Sequence, residues 1–163
     1  MSTLTFSITP EQDGRRLSRL LRTDCRCSAR LVKQLKYLPD GILPDGARAF
    51  LDQRVSAGQR LILHLPPDPP SDIVPCEGPL DILYEDEHLL VVNKPPYVPV
   101  HPGPGHHEDT LGNFLTWHYL QNGTPHTYRP VNRLDRSTSG LMCVAKDGYT
   151  QELLKLQLHT QTF

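Results

Sequence analysis

Residues 66–79 constrain this chain more than any other stretch. Pro66, Pro67, Pro69 and Pro70 come almost together, and Pro75, Gly78 and Pro79 continue the interruption. Proline lacks a backbone N–H and fixes φ, so such a run is neither a helix interior nor a central strand. It reads as a semi-stiff linker between two units. Charge divides at the same place. Residues 1–65 carry 11 Lys and Arg against 6 Asp and Glu, a net +5, while residues 66–163 carry 6 against 12, a net −6. A compact basic unit suits a polyanion such as RNA, or it is a solvated face, and charge alone leaves both open. At 37% hydrophobic, the chain has apolar material for a core, which excludes a disordered or collagen-like class. No apolar run approaches the ~20 residues that span a bilayer. Met1 to Pro10 shows no basic region followed by an apolar one, so no secretory signal is read and the expected location is the cytoplasm. Cys25, Cys27, Cys76 and Cys143 have only one close pair, C-x-C, which fits reduced thiols better than a zinc site or disulfide framework.

In the first unit, Leu17, Leu20 and Leu21 share one face of a helix over 15–22, and Arg15, Arg16, Arg19 and Arg22 occupy the rest. Ser28 is placed to cap a second helix over 29–38, with Leu31, Val32 and Leu35 as its apolar stripe and Arg30, Lys33 and Lys36 elsewhere. Pro39-Asp40-Gly41 ends it. Ile42-Leu43 followed by Asp45-Gly46 suggests a short hairpin. Leu61 to Leu65 alternates as a strand.

In the second unit, residues 80–84 alternate as a strand, Glu85-Asp86-Glu87 is a charged turn, and residues 88–93 form a strand with an apolar centre. Lys94-Pro95-Pro96 stops that strand. His101, His106 and His107 lie in a Pro- and Gly-rich loop with no carboxylate or Cys at helical ligand spacing, so they read as a loop lining a pocket or surface. Thr110 can cap a helix on which Leu111, Phe114, Leu115 and His118 share a face, ending at Asn122-Gly123. Trp117 reads as packed rather than as a base-stacking platform, though the sequence leaves both open.

Residues 129–141 carry the chemistry. Asp135 lies between Arg133 and Arg136, ahead of Ser137-Thr138-Ser139-Gly140 and a strand over 141–145. A carboxylate on a loop entering a buried strand is placed as catalytic groups often are. Guanidinium neighbours would keep it ionised, as a nucleophile or base requires. The other reading is an Asp–Arg salt bridge with an Asx or ST turn. Spacing leaves both open.

Arg133 to Gly140 resembles the R-L-D-x-x-T-S-G signature of the RluA-type pseudouridine synthases. Leu83 to Pro95, the following H-P-G loop and the T-L helix start resemble other parts of that family. The first unit, over 12–65, resembles the S-four-type RNA-binding domain in its Gly-Arg-Arg-Leu start, its Ser28-Ala29-Arg30 helix start with Lys33, and its V-x-x-G-x-R-L-I-L strand. It departs at Leu43 to Ala47, where that family often has a V-N-G turn.

The resemblance implies an α+β chain. A small basic RNA-binding domain (12–65) precedes the linker (66–79) and the first part of a mixed, mostly antiparallel-sheet catalytic domain (80–163). It implies isomerisation of uridine to pseudouridine in ribosomal or transfer RNA, by a monomer with no cofactor, metal or membrane. Asp135 matches the catalytic aspartate, Arg133 an arginine associated with nucleotide flipping, and Thr138, Ser139 and Gly140 the substrate-binding turn. Arg15, Arg16, Arg26, Arg30, Lys33 and Lys36 match the RNA-binding face. Asn132 stands where the family usually has His. The family's later K-x-Y strand and basic partner of the Asp have no counterpart in these 163 residues, so the chain is expected to be an incomplete synthase, inactive or unstable alone. The alternative is a non-catalytic RNA-binding protein that uses only the basic domain. An Asp-dependent hydrolase is disfavoured, because no paired carboxylate or metal set lies near Asp135.

Overall fold

A computed structural model describes residues 2–67, 69 and 71–160. Asp68 and Pro70 of the expected linker, and residues 161–163 at the end of the expected catalytic domain, lie outside the described residues. The chain divides into two compact units, 1–67 and 68–163.

Unit 1 contains strand β1 (Thr3–Ser7), a 3-10 turn (Pro10–Gln12), helices α1 (Leu17–Thr23) and α2 (Ala29–Tyr37), and strands β2 (Ile42–Pro44) and β3 (Arg60–His64). The helices form where apolar spacing demands them. Leu17, Leu20 and Leu21 of α1 and Leu31, Val32 and Leu35 of α2 are buried. The Ser28 side chain accepts a hydrogen bond from the Leu31 N–H, an N-cap on the first turn of α2. The three strands run antiparallel in the order β1-β3-β2. Leu61 and Leu63 of the central strand are fully buried.

Two expectations change here. The turn at 44–47 forms, with Asp45 and Gly46 both at positive φ and the Ala47 N–H bonded to the Pro44 carbonyl. It does not close a two-stranded hairpin, because β2 pairs with β3 instead, Ile42 opposite Leu63. Strand β1 was not anticipated, although Leu4, Phe6 and Ile8 alternate with polar residues. Its register sets Leu4 opposite Leu63 and Phe6 opposite Leu61.

Unit 2 contains β4 (Ile82–Glu85), β5 (Leu89–Lys94), α3 (Leu111–Gln121), β6 (Arg129–Pro130), β7 (Gly140–Ala145) and α4 (Gly148–His159). The sheet order is β4-β5-β7-β6, antiparallel throughout. Leu90, Val92, Met142 and Val144 alternate onto one face and form a core with Leu111, Leu115, Tyr119, Tyr128 and Val100. The other face stays open, with Tyr84 and Leu141 more than half exposed. Thr110 and Asn113 cap α3 reciprocally, and Asp147 caps α4 through the Thr150 N–H. His118 leaves the expected apolar face of α3, since its Nε2 bonds Glu85 at 2.8 Å. Glu85 also takes Lys146 at 2.8 Å. Helix α4 buries no residue. Strand β6 was not anticipated, because two residues carry no period.

Candidate active site

The register of the unit 2 sheet fixes where Asp135 sits. Gly140 opens β7 opposite Lys94, the last residue of β5. The loop that precedes β7 therefore meets the segment that follows β5. Gly140 has φ +141, outside the range that side-chain-bearing residues favour.

The buried Lys94 ties these two segments together. It continues the Leu90, Val92 alternation onto the core face and is 0% exposed. Its Nζ donates to the carbonyls of Pro95 at 2.9 Å, Val98 at 3.0 Å and Arg136 at 3.3 Å. Burial, with no carboxylate partner among the described residues, pushes its pKa below the ordinary lysine value. The Tyr97 N–H donates to the Arg136 carbonyl at 2.7 Å, and Arg136 Nε–H donates to the Tyr97 carbonyl at 3.3 Å.

The other flank is held as firmly. Val131 N–H bonds the Cys143 carbonyl at 2.8 Å. Asn132 Oδ1 accepts from Cys143 N–H at 2.9 Å and its Nδ2 donates to the Leu141 carbonyl at 3.2 Å, so its amide acts as an extra rung beside β7. Leu134 packs against the core. Arg133 and Asp135, on either side of it, are exposed.

Of the two readings of Asp135, the salt bridge does not form. Among the described residues its carboxylate has neither an ion pair nor a side-chain hydrogen bond. The turn is closed by backbone alone, Thr138 N–H to the Asp135 carbonyl at 3.0 Å. Thr138 and Ser139 are exposed on that turn. Arg133 instead bears on His101, whose pKa is lowered by desolvation first and by the Arg133 charge second. His101 lies edge-on to Tyr128, with ring centroids 5.2 Å apart. His106 Nδ1 meets Asp109 Oδ2 at 2.6 Å. Among the described residues no group of three or more His, Cys, Asp or Glu is placed to hold a metal ion.

The basic residues of unit 1 divide. Arg15 is engaged with Asp24 at 2.9 Å. Arg16, the N-cap of α1, is exposed, as is Arg26, which has φ 52 between the buried Cys25 and Cys27. Arg30, Lys33 and Lys36 are exposed on α2. Lys33 and Lys36 join Arg22, Val32, Tyr37 and Leu51 around a cleft of about 330 Å³. None of the four cysteines is in a disulfide, and burial first, then Cys27, pushes the Cys25 thiol up to about 12.

Sequence reading missed Lys94 and Tyr97. Lys94 had a signal, since it follows Leu90 and Val92 at strand period onto the buried face. Tyr97 had none, because its importance lies in contacts with a loop 39 residues away.

Residues 88–163 match the family model described as RNA pseudouridylate synthase. The chain is 32% identical over 165 residues to the Uncharacterized RNA pseudouridine synthase YhcT of Bacillus subtilis, covering 98% of this chain and 52% of that protein. It is 42% identical over 107 residues to the Ribosomal large subunit pseudouridine synthase D of Xylella fastidiosa, covering 66% of this chain and 32% of that one. Human RNA Pseudouridylate Synthase Domain Containing 1 aligns in structure with a TM-score of 0.41 and 26% identity, over 51% of this chain and 29% of that one. The chain spans about half the length of the curated relatives that it matches most fully. No helix among the described residues is long and apolar enough to cross a membrane.

Proposed function

We propose that this chain belongs to an RNA pseudouridine synthase that isomerises uridine in ribosomal or transfer RNA, with Asp135 as its catalytic group. The observation that carries this reading is the state of Asp135: exposed, without a side-chain partner among the described residues, on a turn braced from both sides. A carboxylate spent on a salt bridge would have to give that up before it could act on a ribose. Asp135 acts on the sugar, by attack at carbon 1′ or by removal of a sugar proton. The bond from carbon 1′ to uracil N1 breaks, the base turns, and carbon 1′ bonds to carbon 5. The hydrogen of carbon 5 leaves and N1 gains one, so the reaction needs no redox partner. The target nucleotide must leave its stack, at a cost of roughly a few kcal/mol. Arg133, which is exposed, holds the displaced nucleotide in this reading, and Thr138, Ser139 and Gly140 shape the turn beneath it.

Unit 1 supplies affinity. Exposed Arg16, Arg26, Arg30, Lys33 and Lys36 neutralise phosphates, which gives salt-dependent binding with little sequence choice. The open face of the unit 2 sheet supports the reading that a complete catalytic unit contains more chain than unit 2.

The test uses this chain and the same chain extended by the C-terminal half of the B. subtilis relative. RNA is incubated, digested to nucleosides and chromatographed for pseudouridine. Conversion by the extended chain that Asp135→Asn abolishes at unchanged RNA affinity is expected. Conversion that survives Asp135→Asn removes Asp135 from the mechanism. RNA binding with no conversion by either chain favours a non-catalytic RNA-binding protein.

A further inference from the structure

Tyr97 departs from what its backbone requires. Its φ is +66, in the left-handed region, where glycine is at ease and Asn or Asp is tolerated. Tyrosine has no short polar side chain to compensate there. The conformation is imposed from every side. The Tyr97 N–H and carbonyl both bond Arg136, and Lys94 holds the carbonyls of Pro95 and Val98 on either side. Glycine would satisfy these backbone bonds without strain. The ring contributes little to the core, being 72% exposed. The site thus keeps a costly aromatic residue whose ring is exposed and whose backbone bonds Arg136, the residue that follows Asp135. Strain of this kind clusters where a side chain has work outside the fold.

We propose that Tyr97 is a stacking platform for an unpaired RNA base next to the nucleotide on which Asp135 acts. The proposal rests on the RNA reading above. Extruding a nucleotide leaves its neighbours with uncovered π-faces. An exposed aromatic ring is what such a face accepts, whatever the base. Neighbouring Arg133 and Arg136 supply positive charge for the adjoining phosphates. The clamp on the Tyr97 backbone reduces the ordering that binding would otherwise have to impose on this segment.

The experiment uses the full chain and a single-stranded oligouridylate with one 2-aminopurine, whose fluorescence falls when it stacks. Affinity is read by anisotropy and stacking by quenching. Tyr97→Phe keeps both. Tyr97→Gly binds about tenfold more weakly, about 1.4 kcal/mol, and loses the quench. It melts no lower than the parent, because the left-handed backbone now carries glycine. Tyr97→Asn, also at ease in that region, shows the same loss of affinity and guards against a folding artefact. If Arg133→Ala weakens binding while Tyr97→Gly and Tyr97→Asn bind and quench like the parent, the stacking role is overturned and the RNA reading stands. If the parent chain does not bind the oligonucleotide, the RNA reading falls and the platform with it.

Discussion

Replacing Lys94 with methionine tests the architecture of the site. Methionine fills a similar volume, keeps the apolar stem and donates nothing. Three carbonyls, those of Pro95, Val98 and Arg136, lose their donor. A hydrogen bond from a charged donor is worth about 1.5–3 kcal/mol. Against that loss, an ammonium buried without a carboxylate costs several kcal/mol, and methionine removes this cost. The Pro95 and Val98 carbonyls lie on a half-exposed segment and can recover water. The Arg136 carbonyl keeps its bond from Tyr97. The balance is a loss of about 2 kcal/mol, which lowers the melting temperature of a unit this size by about 10 °C. Because the bonds join the two segments that brace Asp135, the opening is local before it is global. Amide exchange at Tyr97 and Thr138 should accelerate about 30-fold, the factor that 2 kcal/mol represents. Ile62, in the other unit, should keep its rate. Unchanged melting with unchanged exchange at Tyr97 would refute the brace.

Two further outcomes follow from the same geometry. Desolvation raises the pKa of Glu85, but hydrogen bonds from Lys146 and His118 outweigh it and the net value lies below the ordinary 4.5. A depressed carboxylate stabilises the fold above its unfolded pKa and loses that contribution as pH falls through the folded one. Glu85→Gln should therefore cost about 1–2 kcal/mol at pH 7, charged hydrogen bonds discounted for partial exposure, and its deficit against the parent should shrink as denaturation is measured from pH 4.5 downward. A deficit independent of pH would contradict this. In unit 1, Arg30→Ala with Lys33→Ala should weaken RNA binding and reduce the slope of log affinity against log salt by about 2; an unchanged slope would take α2 off the RNA.

Helices were legible in this sequence wherever burial follows a strict period. Leu17, Leu20 and Leu21 marked α1, and Ser28 marked the start of α2 to the residue. Strands β5 and β7 were legible as short apolar runs, although in β5 only every second residue, Leu90, Val92 and Lys94, is buried, where the continuous apolar centre had suggested burial throughout. Strand β1 carries the same alternation in Leu4 and Phe6 and was passed over, while β6 is too short to show any. The pairing of β2 was not legible, because partner choice depends on where β3 lies in space. At the site, the signature around Asp135 stood out as a string of residues. The state of its carboxylate did not, since a neighbouring arginine in sequence need not be a neighbour in space. Arg136 turns to Tyr97 and Arg133 bears on His101. Lys94 looked like the end of a strand, because nothing in Lys-Pro-Pro shows that three carbonyls converge on its ammonium.

The most direct measurement is tritium release from RNA labelled at carbon 5 of uridine, with the extended chain and its Asp135→Asn variant. Joining carbon 5 to the ribose expels that hydrogen, so the account predicts one tritium released per pseudouridine formed and none from the variant, with RNA affinity equal in the two. Tritium release by the variant at the parent's rate would contradict it.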